Sequence, residues 1–164
     1  MTRRTRRRVK PIAINNLQVA LASATRFTPA ELTQLLTPIR GALVSMRTGT
    51  ATELQWMHLA SVTAIALSIE TKGVVRGLKV QLTEIDHLLA EIRKRATRSG
   101  TWLPPVLYGH EIVAIETLVR LHTFQAENLS AGEYRAAWQH AKAETTRVGG
   151  RHIDPAEHAS AAAC

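Results

Sequence analysis

The chain has 164 residues, enough for one domain with tails, and 45% of them are hydrophobic, which excludes a wholly disordered protein. Aromatic residues make up only 4%, a composition that favours helix packing over a β-sandwich. The single cysteine, Cys164, excludes an internal disulfide, and the longest uncharged run, 54–69, is too short and too polar to cross a bilayer comfortably.

The net charge of +8 is unevenly distributed along the chain. Residues 1–10 contain six basic side chains and no acidic one, whereas the remaining 154 residues carry 15 basic and 13 acidic side chains, a net charge of +2. We therefore expect a flexible arginine-rich arm at 1–10, a helical bundle at 11–150 and a C-terminal tail at 151–164. A cytoplasmic location is expected, although an acid-free, Arg-rich start also fits an import presequence.

Capping signals and glycines divide the chain into helices. A hydroxyl residue precedes a glutamate by three positions, the spacing of a capping box, at Thr28–Glu31, Thr50–Glu53 and Ser130–Glu133. Glycines after apolar stretches indicate helix ends, and they are Gly49, Gly73, Gly100 and the pair at 149–150. The predicted helices span about 12–24, 29–47, 51–72, 74–98, 105–127 and 131–148.

No segment alternates convincingly with a period of two, so the predicted fold is all-α, a bundle of four or five main helices. The helix at 29–47 contains Pro38 and is expected to kink there or to break, with Thr37 capping a new helix. The helix at 51–72 is apolar nearly all round and is expected to be central.

The helix at 74–98 carries a heptad seam of apolar residues. The seam consists of Val75, Leu78, Leu82, Ile85, Leu89, Ile92 and Ala96. It can face the bundle's own core or a second chain. The second arrangement predicts a protein partner or a homodimer through the Val75–Ala96 face.

Motifs for catalysis and cofactor binding are largely missing from the sequence. Glu84–His87 matches a Glu-x-x-His motif once, without the second copy that a di-iron bundle needs, so we expect a solvated pairing of His87 with Glu91. There is no Cys-x-x-Cys, G-x-G-x-x-G, P-loop or G-x-S-x-G motif. The sequence therefore predicts no enzyme, no catalytic residue, no cofactor and no metal site.

Several aromatic and histidine side chains occupy apolar positions. For His58 and His122, a core histidine bonded to a backbone carbonyl is expected before a ligand or a catalytic base. Trp102 lies in a Pro-rich connector, 102–105, where it can cover the end of the bundle or form an exposed contact point.

The basic residues suggest a polyanion as the partner. A flexible arginine-rich arm suits nucleic acid because phosphate contacts need no fixed geometry and release counterions. The predicted contacts of the arm are Arg3, Arg4, Arg6, Arg7, Arg8 and Lys10. A second basic group consists of Arg93, Lys94, Arg95 and Arg98, which can bind phosphate or complement a helix macrodipole. No basic recognition helix stands out, so binding without sequence preference to DNA or RNA is predicted.

Four stretches resemble small uncharacterised basic helical proteins carried on proteobacterial plasmids and phage-like mobile elements. They are the arginine-rich start, TATELQW at 50–56, GVVRGL at 73–78 and VGGR at 148–151. The resemblance implies an accessory or regulatory protein of a mobile element, with no known activity attached. The alternative function is a protein–protein interaction or inhibitor module that uses an exposed helix face and has no nucleic-acid role.

Overall fold

The computed structural model describes residues 24–73 and 76–150, and this part of the chain contains five α-helices and no strand. The helices are Pro29–Thr48 (α1), Glu53–Thr71 (α2), Lys79–Ala96 (α3), Gly109–Asn128 (α4) and Ala131–Arg147 (α5). The all-α prediction is confirmed. The arm at 1–10, the tail at 151–164 and all but the last residue of the helix predicted at 12–24 lie outside the described residues.

Helix α1 begins and ends as its local sequence predicts. Thr28 accepts from the backbone N–H of Glu31, whose carboxylate accepts from the backbone N–H of Thr28 at 2.7 Å. The break predicted as one option at Pro38 does not occur, since the helix continues to Thr48. The Thr37 hydroxyl caps nothing and instead donates to the carbonyl of Thr33 at 2.7 Å.

Helix α2 is the centre of the bundle and packs against the other four helices. Its N-cap is Thr52, with Gln55 completing the capping box, so the box predicted at Thr50 is two residues too early. One group of core residues lies between α2 and α1, α3 and α4, and a second joins α2 to α5 and the end of α4. The prediction of a central helix here is confirmed.

The heptad seam of α3 is used inside the molecule. Its residues from Leu82 to Ala96 are buried and pack against α2 and α4, for example beside Leu59 and Leu118. These five residues therefore face the chain's own core, whereas Leu78 is half-buried. A homodimer or protein partner through the Val75–Ala96 face stays a prediction. Val75 lies outside the described residues.

The connector between α3 and α4 closes one end of the bundle. Trp102 is half-buried, and its indole N–H donates to the carbonyl of Ala51 at 2.8 Å. Its ring centroid lies 6.3 Å from that of Trp56. Of the two roles considered for Trp102, the structure shows the covering one. None of the described helices combines the length and apolarity needed to cross a bilayer.

Candidate nucleic-acid interface

The predicted interface has two parts, of which the structure describes one. The six cations of the arm lie outside the described residues. The other four, which we name the α3 terminal cluster, are Arg93, Lys94 and Arg95 in the last turn of α3 and Arg98 just beyond it. Cations at a helix C-terminus interact favourably with the negative end of the helix macrodipole, which is one of the two sequence interpretations.

Arg95 is tied to the fold of the bundle. Its guanidinium donates two hydrogen bonds to the Glu111 carboxylate, at 2.6 and 2.7 Å, and lies 4.8 Å from the centroid of the Tyr108 ring. The side chain of Arg95 is 30% exposed, and that of Glu111 only 3%. A phosphate that drew this guanidinium away from Glu111 would leave a buried carboxylate without its cation, which is energetically costly. Arg95 therefore stabilises the α3–α4 contact.

The charge on Glu111 is fixed by its hydrogen bonds. Burial alone would raise the pKa of this carboxyl, but the hydrogen bonds from Arg95 and from the backbone N–H of Tyr108 outweigh burial and lower the pKa. The pKa of Arg95 is raised, chiefly by the same hydrogen bonds to Glu111. Both groups are consequently ionised across the neutral pH range, and the pair joins the end of α3 to the first turn of α4.

Arg93 and Lys94 face solvent more openly. Arg93 lies 3.5 Å from a Glu53 carboxylate oxygen and 5.1 Å from the centroid of the Trp56 ring. Lys94 donates to Glu91 at 2.6 Å, where its side chain is 72% exposed. Exposed pairs of this kind contribute about 0–1 kcal/mol, so a phosphate can compete for either cation.

Glu91 pairs with Lys94 and not with His87, so the pairing predicted at positions 87 and 91 is wrong. Arg98 is exposed, and no carboxylate of the described chain lies within ion-pair distance of it. The α3 terminal cluster thus has four cations, three of which are paired with carboxylates, so one net positive charge remains. The cluster is a weak electrostatic site by itself.

No protein-family model matches the chain, and no curated protein and no solved structure matches it either. Within 24–73 and 76–150, no three His, Cys, Asp or Glu side chains are grouped so that they could hold a metal ion.

His122 is buried, as expected, but its partner differs from the expected backbone carbonyl. Its Nε2 lies 3.0 Å from the Tyr134 hydroxyl, and its Nδ1 has no hydrogen-bond partner in the described structure. Burial lowers the pKa of His122 to about 4 and raises the pKa of Tyr134. His122 is therefore a neutral core residue at physiological pH, joining α4 to α5.

Sequence reasoning missed a surface groove beside α2. It brings Trp56 and Ala60 of α2 together with Asp86 and Arg93 of α3. Asp86 matches no motif, and its position next to the heptad seam, directly after Ile85, does not show by itself what it borders. Only the packing of three helices reveals that this carboxylate borders a recess.

Proposed function

We propose that this protein is a non-enzymatic helical bundle whose arginine-rich stretch, residues 1–10, contacts nucleic acid, as a cytoplasmic accessory or regulatory protein of a mobile element. The charge distribution carries the proposal. Six cations without an acid stand in ten residues, beside 154 residues with a net charge of +2. A dense run of arginines attracts the phosphate backbone and needs no base contacts, so binding without sequence preference follows.

The charges of the bundle support this division of roles. Three of the four cations in the α3 terminal cluster have a carboxylate partner, and one of these, Arg95, is held by a buried pair. A nucleic acid held by residues 1–10 would gain little further attraction from this end of the bundle. Arg98 can add a phosphate contact directly. Arg93 and Lys94 can add one each only when a phosphate replaces their carboxylate partners.

Binding to duplex DNA is expected to weaken steeply with salt. Six phosphate contacts give a slope of log K against log salt concentration on the order of −5, since each contact releases about 0.9 counterion. The measurement is fluorescence anisotropy of a labelled duplex of unrelated sequence, titrated at several salt concentrations. Deleting residues 1–10 should remove most of the slope while leaving the helical circular dichroism and the melting temperature unchanged.

A matched control distinguishes DNA binding by residues 1–10 from DNA binding by the exposed cations of the bundle. Replacing Arg93, Lys94 and Arg98 together by glutamine removes three exposed cations without touching the buried pair of Arg95. This variant should lower the magnitude of the slope by no more than about 1 per lost contact. Binding that survives deletion of residues 1–10 unchanged would end the proposal.

Protein interaction is the second candidate, and the α3–α4 connector is the observation that favours it. Leu103, Val106 and Tyr108 expose apolar surface on this segment. The connector is also held in place, because the Leu103 N–H donates to the carbonyl of Ala96 at 2.8 Å and Trp102 is anchored on Ala51. Exposed apolar groups on a fixed segment are typical of contact surfaces.

Affinity capture from the native host, with and without nuclease, distinguishes the two candidates. Loss of the captured material on nuclease treatment supports the nucleic-acid role. A nuclease-resistant protein partner that disappears when Leu103 and Val106 are replaced by serine supports the interaction role. The same capture with the chain lacking residues 1–10 tells whether the basic stretch is needed.

A further inference from the structure

A groove runs along the first half of α2, bordered by α3 on one side and by the end of α5 on the other. Its volume is about 220 Å³. Its lining includes Trp56, Met57, Ala60 and Ala64 from α2, and Asp86 and Arg93 from α3. The groove shares Arg93 with the α3 terminal cluster but otherwise lies apart from the residues assigned to nucleic acid.

The groove exists because the floor side chains are small. Both α3 and α5 pack against α2, yet Ala60 and Ala64 present only methyl groups between them. An apolar cavity of about 150 Å³ is large enough for benzene. A recess of about 220 Å³ therefore accommodates one ring with a short alkyl chain. Trp56 and Met57 provide apolar and polarisable contacts for such a group.

Two charged side chains of α3, Asp86 and Arg93, line the groove, and only the negative one lacks an ion-pair partner among the described residues. Arg93 has a carboxylate beside it, since it lies 3.5 Å from Glu53, and its guanidinium lies over the Trp56 ring. Asp86 has no ion-pair or hydrogen-bond partner among the described residues. A ligand that enters beside Asp86 is thus favoured if it carries a positive charge.

Asp86 keeps one side in solvent while its other side faces the groove. Desolvation there raises the pKa of this carboxyl, and an electrostatic interaction with His87 offsets the effect only in part. The charged form of this carboxyl is therefore less well solvated than it would be in water. A cation in the groove would stabilise it.

We propose that this groove binds small organic cations with an apolar body, the class of the arylalkylamines. The ring would lie over Ala60 and Ala64 against Trp56 and Met57, and the ammonium group would reach Asp86. This ligand class follows from the size of the recess, its apolar floor and a bordering carboxylate, Asp86, that has no ion-pair partner among the described residues. The inference stands apart from the nucleic-acid proposal and survives if that proposal fails.

The test uses the full chain and three probes with similar bodies: 2-phenylethylamine, neutral 2-phenylethanol and anionic 3-phenylpropionate. Titration at pH 7 and low salt is followed by amide and indole chemical shifts in two-dimensional NMR. The amine should bind about fivefold more tightly than the alcohol, the value of one partly exposed ion pair, and the anion should bind weakest. The shifts should centre on Trp56, Ala60 and Ala64.

Two variants and a control decide the assignment. Asp86→Asn should abolish the preference for the amine over the alcohol, and Ala60→Leu should fill the groove and weaken both. Glu84→Gln removes an exposed carboxylate on the same helix outside the groove lining and should leave the preference intact. Equal binding of amine and alcohol, tighter binding of the anion, or an unchanged preference in Asp86→Asn would overturn the proposal.

Discussion

Replacing Arg95 by methionine should lower the free energy of unfolding by about 3–5 kcal/mol. Methionine keeps the aliphatic part of the side chain but removes both hydrogen bonds to Glu111, at 2.6 and 2.7 Å. The Glu111 side chain is only 3% exposed, so water cannot replace the lost cation. Urea denaturation at pH 7 measures the change. The loss should shrink as the pH is lowered, because the stranded carboxyl then takes up a proton.

The adjacent residue supplies the matched control. Lys94→Met removes an ion pair of similar length, 2.6 Å, but its lysine and its partner Glu91 are 72% and 62% exposed. Screening by water limits such a pair to about 0–1 kcal/mol. If Arg95→Met cost no more than Lys94→Met, the assignment of Arg95 to the fold would fail, and its guanidinium would again be available to phosphate.

Helix signals that act within one turn could be read from the sequence. The capping boxes at Thr28 and Ser130 occur as predicted, because a hydroxyl and a glutamate three residues apart need no distant partner. The heptad seam of α3 likewise predicted which of its residues are buried. The sequence alone could not decide whether the seam faces its own chain or another, since that depends on where α2 and α4 lie.

The start of α2 shows how neighbouring signals compete. Both Thr50–Glu53 and Thr52–Gln55 have capping-box spacing. The backbone N–H of Thr50 is already used, because it donates to the carbonyl of Ser45 at 3.0 Å and so closes the C-terminus of α1. Gly49 allows this closure by adopting a φ of 68°. Thr52, two residues on, is left to begin the next helix.

The start of α3 depends on a contact that local patterns do not contain. The helix begins at Lys79, several residues after the predicted start at 74. The Glu70 carboxylate, at the end of α2, accepts from the backbone N–H groups of Gly77 and Leu78 at 2.6 and 3.1 Å. This cap from the preceding helix, together with the φ of 98° at Gly77, sets the boundary.

The candidate site was predicted only as a list of cations. Their partners Glu53 and Glu111 are 40 and 16 residues from Arg93 and Arg95, respectively, so no local rule assigns them. The same holds for the groove, whose Asp86 and Trp56 lie on different helices. Residue type predicts what a side chain can bind, whereas helix packing decides which charges are already neutralised and which remain.

Stability should fall by about 2 kcal/mol when the pH is lowered from 7 to 4.5, mainly through His122. Burial lowers the pKa of His122 to about 4, against an ordinary value of 6.5, so the unfolded chain binds more protons between these values. Free energy of unfolding therefore decreases as the pH falls through this window. Urea denaturation at several pH values gives the slope directly.

His122→Gln isolates this contribution, since an amide does not titrate there and can still bond the Tyr134 hydroxyl. The variant should be less stable at pH 7 but should lose most of the slope between pH 6.5 and 4.5. Carboxyls with a lowered pKa, such as Glu31 and Glu111, lose their stabilising effect only below about pH 4.5. They therefore contribute little to the pH dependence of stability between pH 6.5 and 4.5. An identical slope in His122→Gln and the native chain would show that His122 is hydrated and can be protonated within the core.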